Sequence, residues 1–318
     1  MTLVLIAQLL VPVLLVLWLL VSPPGSRLGW AVQGAATLLV LATMTRIGIW
    51  LFPPWWTPHA AAALALGAAM LRWPRTRPLP WLPQGLHGWI VASLFGAMGA
   101  GATLYGGRAL AGAAPPTVPA VSLAWPLQGA RLLVANGGND LVINSHLASL
   151  LSDDPRFVPW RGNRWAVDIV AIDALGLRST GFMPQEPARY RVFGMPVLAP
   201  CGGTVAVAVD GLPDMPVPEY DRAHLAGNHV ILDCDGVHVV LAPFKRGSVR
   251  VSVGDPVQAG AQLAQVGNSG GSNEPHLHIH AQRPGPATQP MGGDPLPLSF
   301  GGRFLVRGDR IDPPGRHR

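Results

Sequence analysis

Residues 267–280 read Gly-Asn-Ser-Gly-Gly-Ser-Asn-Glu-Pro-His-Leu-His-Ile-His, with histidines alternating at His276, His278 and His280. An extended strand repeats its side-chain direction every second residue, so all three imidazoles are expected on one face. A strand bearing His-x-His can offer one ring to a metal and the next to a substrate. The Gly267-Asn268-Ser269-Gly270 turn just upstream places the start of that strand beside a cleft. The alternative is an edge strand with exposed histidines.

Working outward, the chain of 318 residues is long enough for about two domains. Only 13% of its residues are charged and its mean hydropathy is +0.31, which points to membrane segments. Apolar residues concentrate before about residue 112 and charges after it. The net charge of +6 comes from an excess of arginine with little lysine, which suits anionic lipid or an anionic wall polymer. No basic cluster with interleaved aromatics is found, which argues against nucleic acid as a partner. The two cysteines, Cys201 and Cys234, form no Cys-x-x-Cys, so a structural zinc knuckle is excluded. One disulfide or two buried thiols are both open.

Residues 1–112 read as a membrane domain of about four transmembrane helices. The apolar stretches are Thr2–Val21, Leu28–Phe52, His59–Leu71 and about Gly88–Leu110; the third is short for a span. The first lacks a basic leader and is followed by more apolar segments, so it is expected to be retained. Arg27 lies between the first two stretches, and Arg72, Arg75 and Arg77 between the last two. The positive-inside rule puts both loops in the cytoplasm, and the N-terminus and everything after the fourth helix outside. Trp50, Trp55 and Trp56 are then expected at the outer interface. Gly96, Gly99, Ala100 and Gly101 make one side of the fourth helix small, as close helix packing needs.

A Pro-rich linker follows at residues 113–122. Residues 123–318 then read as an extracytoplasmic, mainly antiparallel β domain with a core at about 140–285. Expected strands include Arg164–Ile172, Thr204–Val209, His229–Asp233, His238–Leu241, Val249–Val253 and His276–Ala281. Asp235-Gly236 between two of these is a hairpin signal. Asp168 lies within the apolar run Trp165-Ala166-Val167-Asp168-Ile169-Val170, where a carboxylate is costly unless a partner such as a metal compensates it.

Taken in order, this lone aspartate, the turns around Pro200-Cys201-Gly202-Gly203 and Gly247-Ser248-Val249, and the closing Gly267-Asn268-Ser269-Gly270 and Pro275-His276-Leu277-His278 elements carry a resemblance. The chain resembles the lysostaphin-like (LytM-type) zinc metallopeptidases over roughly residues 140–285. The resemblance implies a lysostaphin-like antiparallel β domain with Zn2+ in a groove. It implies Asp168 and His278 as metal ligands and His276 as the catalytic histidine, assisting the nucleophilic water or steadying transition-state charge. Two positions depart from the family pattern. Arg164, a permanent cation, stands where the first zinc histidine lies four residues before the aspartate. Pro243 stands where a further active-site histidine lies. Some relatives carry an Asn-x-His element upstream of an aromatic-Ala-x-Asp strand. Asn144-Ser145-His146 and Trp165-Ala166-Val167-Asp168 look like that subtype, which makes His146 the third ligand or else an ordinary loop histidine. For the second loss, His229 and His238 are the histidines in neighbouring strands, and each is otherwise a plain strand residue. His280 reads as a residue behind the ligands or on the groove wall.

The function so implied is a membrane-anchored extracytoplasmic zinc metalloendopeptidase acting on peptidoglycan peptides. The alternative is a catalytically degenerate module that binds cell-wall peptides or regulates a partner hydrolase. The expected partners are membrane lipid, peptidoglycan or a cell-wall peptide, and a partner hydrolase.

Overall fold

The structure is a computed structural model that describes residues 2–151 and 155–312. It divides into two units, one ending at Ala111 and the other beginning at Gly112.

In the first unit all four apolar stretches are helical: α1 (Thr2–Val21), α2 (Arg27–Ile47), α3 (Thr57–Arg72) and α4 (Gly85–Gly112). Among the described residues, α2 and α4 are long and apolar enough to cross a membrane, whereas α3 has 16 residues and rises only about 24 Å. The Ser26 side chain accepts from the Gly29 amide and caps α2. Arg46 lies in the last turn of α2, where a cation complements the helix dipole. Buried amides tie the apolar segments together. Gln8 of α1 donates to the carbonyls of Ile49 and Phe52 and accepts from the Ile49 amide. Trp18 Nε1 donates to Gln33 Oε1 at 2.7 Å.

The small face of α4 is used only in part. A Cβ at Gly99 would press on Ala36 of α2, and one at Gly106 would strike Thr43, but Gly96 and Gly101 have open space. Trp50 is buried, and its indole donates to the Met44 carbonyl.

The second unit is built on strands β1 (Val121–Leu123), β2 (Arg131–Asn136), β3 (Val167–Ile172), β4 (Pro196–Leu198), β5 (Gly203–Val209), β6 (Asn228–Cys234), β7 (Val237–Phe244), β8 (Pro256–Val257), β9 (Gln262–Gln265), β10 (Leu277–Gln282), β11 (Pro295–Leu296), β12 (Leu298–Phe300) and β13 (Arg310–Ile311). The main sheet runs β13-β2-β3-β10-β7-β6-β5-β8, with β11 beside β10, and all these pairings are antiparallel. The Asp235-Gly236 turn joins β6 to β7 with φ of 55° and 80°, the left-handed pair that a two-residue hairpin requires.

One face of the sheet packs the core, through Val167 and Ile169 of β3, Val239 and Leu241 of β7, and Leu277, Ile279 and Ala281 of β10. Strand side chains alternate, so Asp168, Val240, Ala242, His278, His280 and Gln282 fall on the opposite face.

Two expected strands are corrected. The run expected from Arg164 enters the sheet only at Val167, because residues Pro155–Trp165, with Pro159 inside, form 3-10 turns. Val249–Val253 is not a strand: the Val249 amide bonds to the Asp210 carboxylate and Arg250 N to the Leu263 carbonyl of β9, so a side chain and a single strand bond replace a ladder. The cysteines flank the β5–β6 pair and are joined in a Cys201–Cys234 disulfide.

Candidate metal centre

The register of three strands assembles the centre. His278 on β10 lies directly opposite Asp168 on β3, and Asp168 lies opposite Asn136 on β2. A bulge between Val134 and Asn136 turns the end of β2, so that Asn136 reaches the same face as the carboxylate.

Three imidazoles surround Asp168. His278 Nδ1 lies 2.9 Å from Oδ1, His276 Nε2 3.6 Å from Oδ1 and His146 Nε2 3.5 Å from Oδ2. The four side chains are 14–21% exposed. One donor atom from each of His146, Asp168 and His278 lies within 4.8 Å of the others. Two imidazoles and a carboxylate make the N,N,O donor set of open-sided zinc sites, and these residues fit such an ion. Burial alone would raise the Asp168 pKa; the three surrounding imidazoles outweigh it and hold the carboxylate well below the usual range. Burial also lowers the His146 pKa to about 4, so its ring is neutral at pH 7, as a metal ligand must be.

The neighbours of each ring decide which nitrogen faces inward. His146 sits in a 3-10 turn, Ser145–Leu147, capped by Asn144, whose Oδ1 accepts from the His146 amide at 3.2 Å and faces the ring Nδ1 at 3.0 Å. With the proton on Nδ1, Nε2 is left as a lone pair toward Asp168. Asn144 is fully buried, and its amide donates to the carbonyls of Gly138 and Ala166. The Asn-x-His spacing therefore fixes both the loop and the tautomer. His276 Nδ1 faces the Glu274 carbonyl at 2.9 Å, which leaves Nε2 as the inward acceptor.

His278 Nε2 lies 2.9 Å from His280 Nδ1. His280 is thus behind His278, on the groove face but buried, where its Nδ1 can accept a hydrogen bond from Nε2–H and leave Nδ1 of His278 as a lone pair that a cation could take.

The turn ahead of β10 is held by polar contacts. The Asn268 amide donates to Asp214, Ser269 Oγ bridges the Phe244 carbonyl and the Asn228 amide, and Ser272 Oγ donates to Glu274 O. Glu274 in turn pairs with Arg178 through Nε–Oε1 and Nη2–Oε2 contacts of 2.8 Å, with the two side chains 4% and 8% exposed. That fork fixes the backbone carbonyl on which His276 rests.

A cavity of about 340 Å³ opens beside His146, His276 and His278, with Trp160, Leu225 and Pro243 among its walls. The two departures anticipated from the sequence are plain here. Arg164 lays its guanidinium over the Trp165 ring. Pro243 offers the cavity no N–H. His229 is buried with Nδ1 2.8 Å from the Gly227 carbonyl, and His238 pairs across the sheet with Gln282; neither lines the cavity. Arg307, Asn136 and the Arg178–Glu274 pair were not singled out from the sequence; each acts across 96 to 171 residues with no local pattern to mark it.

The family model described as Peptidase family M23 matches residues 190–290, and this stretch is a LytM-type M23 domain. Similar solved structures include the catalytic domain of lysostaphin from Staphylococcus simulans, at 21% identity and TM-score 0.24, covering 35% of this chain and 83% of that one. A putative peptidase M23 from Pseudomonas aeruginosa is 20% identical at TM-score 0.22, with 32% and 46% covered. A zinc containing peptidase from Vibrio cholerae is 19% identical at TM-score 0.22, with 36% and 46% covered. The chain thus spans less than half of the latter two. Comparison with the curated proteins returned no match.

Proposed function

We propose that the chain is a membrane-anchored, extracytoplasmic zinc metalloendopeptidase that acts on the peptide part of peptidoglycan. The observation that carries the reading is the convergence of His146, Asp168 and His278 from three separate segments, beside an open cavity. The M23 match over residues 190–290 supports the reaction class.

His146, Asp168 and His278 hold the zinc, which when bound supplies Lewis acidity and a lowered pKa for water. His276 presents Nε2 to the same space and takes the proton of the attacking water, its ring held by the Glu274 carbonyl. Asp168 offsets the cation's charge. His280 holds the tautomer of His278.

The membrane reading divides the chain into a membrane domain at 1–112, a linker at 113–122 whose last two residues enter β1, and the peptidase-like domain at 123–318, with membrane lipid as a partner. It is supported by α2 and α4 and by the outward leucines of α1 and α4, such as Leu14 and Leu94 at 60% and 65% exposed. The Cys201–Cys234 disulfide suits an oxidising compartment.

Pro243, standing where a donor to transition-state charge is wanted, favours a second reading: a module that binds wall peptides or a partner hydrolase without turnover. The test is to measure zinc content of the full chain in detergent at pH 7, together with release of peptides from purified peptidoglycan. One bound zinc, lost in His278→Ala and His146→Ala, together with peptide release, is expected. No zinc in the wild type, or full zinc in both variants, defeats the ligand assignment. Zinc without release selects the second reading.

A further inference from the structure

We infer that Arg307, which lies beyond the stretch matched to the peptidase family, is a positioning residue that holds the His146 arm of the metal centre through Asn136. The inference rests on the metal-centre reading above.

Arg307 is only 8% exposed. Its guanidinium spans two segments. Nε donates to the Ala135 carbonyl at 3.1 Å and Nη2 to Asn136 Oδ1 at 2.8 Å, at the end of β2. Nη1 donates to the Val142 carbonyl at 3.0 Å, in the loop that leads to His146. The backbone around Arg307 is strapped to the same strand: Arg307 N donates to Gly137 O, Gly308 N to Val134 O, and Val134 N to Asp309 O.

The contact with Asn136 sets the direction of that amide. Asn136 Oδ1 accepts from both Arg307 and the Ser145 amide. Its Nδ2 must then face the other way, where it donates to Ser145 Oγ at 2.8 Å and to Asp168 Oδ2 at 3.3 Å, and packs 3.3 Å from His146 Nδ1. One planar fork therefore fixes the strand end, the loop and the amide that touches two of the three ligands. Lysine, a point charge on a flexible stem, cannot span those acceptors.

The test uses the full chain in detergent, with Zn2+ affinity read by chelator competition and the visible spectrum recorded after loading with Co2+. Arg307→Met is expected to weaken zinc about 10- to 100-fold, as loss of groups behind metal ligands does. Its cobalt spectrum is expected to shift toward that of His146→Ala. The double variant is expected to bind no more weakly than His146→Ala alone. Arg131→Met, which breaks the exposed Arg131–Asp312 pair on the same edge, is expected to change neither readout. If Arg307→Met does not fold, Arg307→Lys is read the same way. Wild-type affinity and spectrum in the folded Arg307 variant overturn the inference alone, as does full additivity with His146→Ala. Failure of the wild type to take up either ion overturns the metal-centre reading and the inference with it.

Discussion

Arg178→Met should be among the most damaging single changes outside the candidate metal centre. The guanidinium and the Glu274 carboxylate are 4% and 8% exposed and meet through two contacts of 2.8 Å. Removing the cation strands a charge in a place water does not reach, and breaking such a pair costs about 3–5 kcal/mol. For a unit of about 200 residues, 1 kcal/mol moves the melting temperature about 2–4 °C, so a fall on the order of 10 °C is expected. The assay is thermal unfolding of the full chain in detergent, followed by near-ultraviolet circular dichroism. A further reading separates the cause from a simple packing defect. The double variant Arg178→Met/Glu274→Leu should recover most of the loss, since no charge is then left unpaired. A single-variant loss below about 1 kcal/mol, or a double variant as unstable as the single, would refute the reasoning.

Three further outcomes follow from other parts of the molecule. His146 titrates at about 4 because it is buried, against about 6.5 when unfolded; the unfolded chain therefore binds the extra proton first as pH falls. The metal-free protein should lose stability between about pH 6.5 and 4, His146→Gln should flatten that slope, and an NMR titration midpoint of His146 near 6.5 would contradict it. The disulfide closes a 33-residue separation, for which chain entropy gives about 3.5–4 kcal/mol; Cys201→Ser/Cys234→Ser should lower the urea midpoint accordingly, and an unchanged midpoint would argue against the bridge. Gly267→Ala would drive its methyl into the Phe244–Lys245 peptide and should cost about 1–3 kcal/mol by denaturant melts, so a neutral result would mean the turn is looser than described.

What was legible in the sequence was whatever repeats locally. Alternating histidines marked β10, short β-branched runs between turn residues marked strands such as β6 and β7, and Asp235-Gly236 marked the hairpin between those two. The four hydrophobic runs marked four helices. Asp168 stood out as a carboxylate inside an apolar run and His278 through the alternation of histidines, whereas their roles as ligands came only from the resemblance to the lysostaphin-like peptidases. Misreadings arose where tertiary contacts override local preference. Arg164 and Trp165 look extended, yet the chain, with Pro159 inside, runs in 3-10 turns as far as Trp165. Val249–Val253 has the β-branched residues of a strand, but the Asp210 carboxylate takes the amide that a neighbouring strand would have bonded. Asn136, Arg178 and Arg307 were not legible, because nothing in their immediate surroundings distinguishes them from ordinary polar residues. Their importance lies in partners that only the folded sheet brings near.

Strand β10 carries two messages interleaved letter by letter. Its even-numbered residues, His278 to Gln282, fall on the face that carries the candidate metal centre, and the odd-numbered ones, Leu277 to Ala281, belong to the hydrophobic interior. Inserting or deleting one residue inside it would shift the reading frame and swap the two sets, delivering imidazoles to the oil and isoleucine to the groove. Here the candidate site and the core can drift by substitution, each on its own letters, but they stand or fall together under any change of length by one.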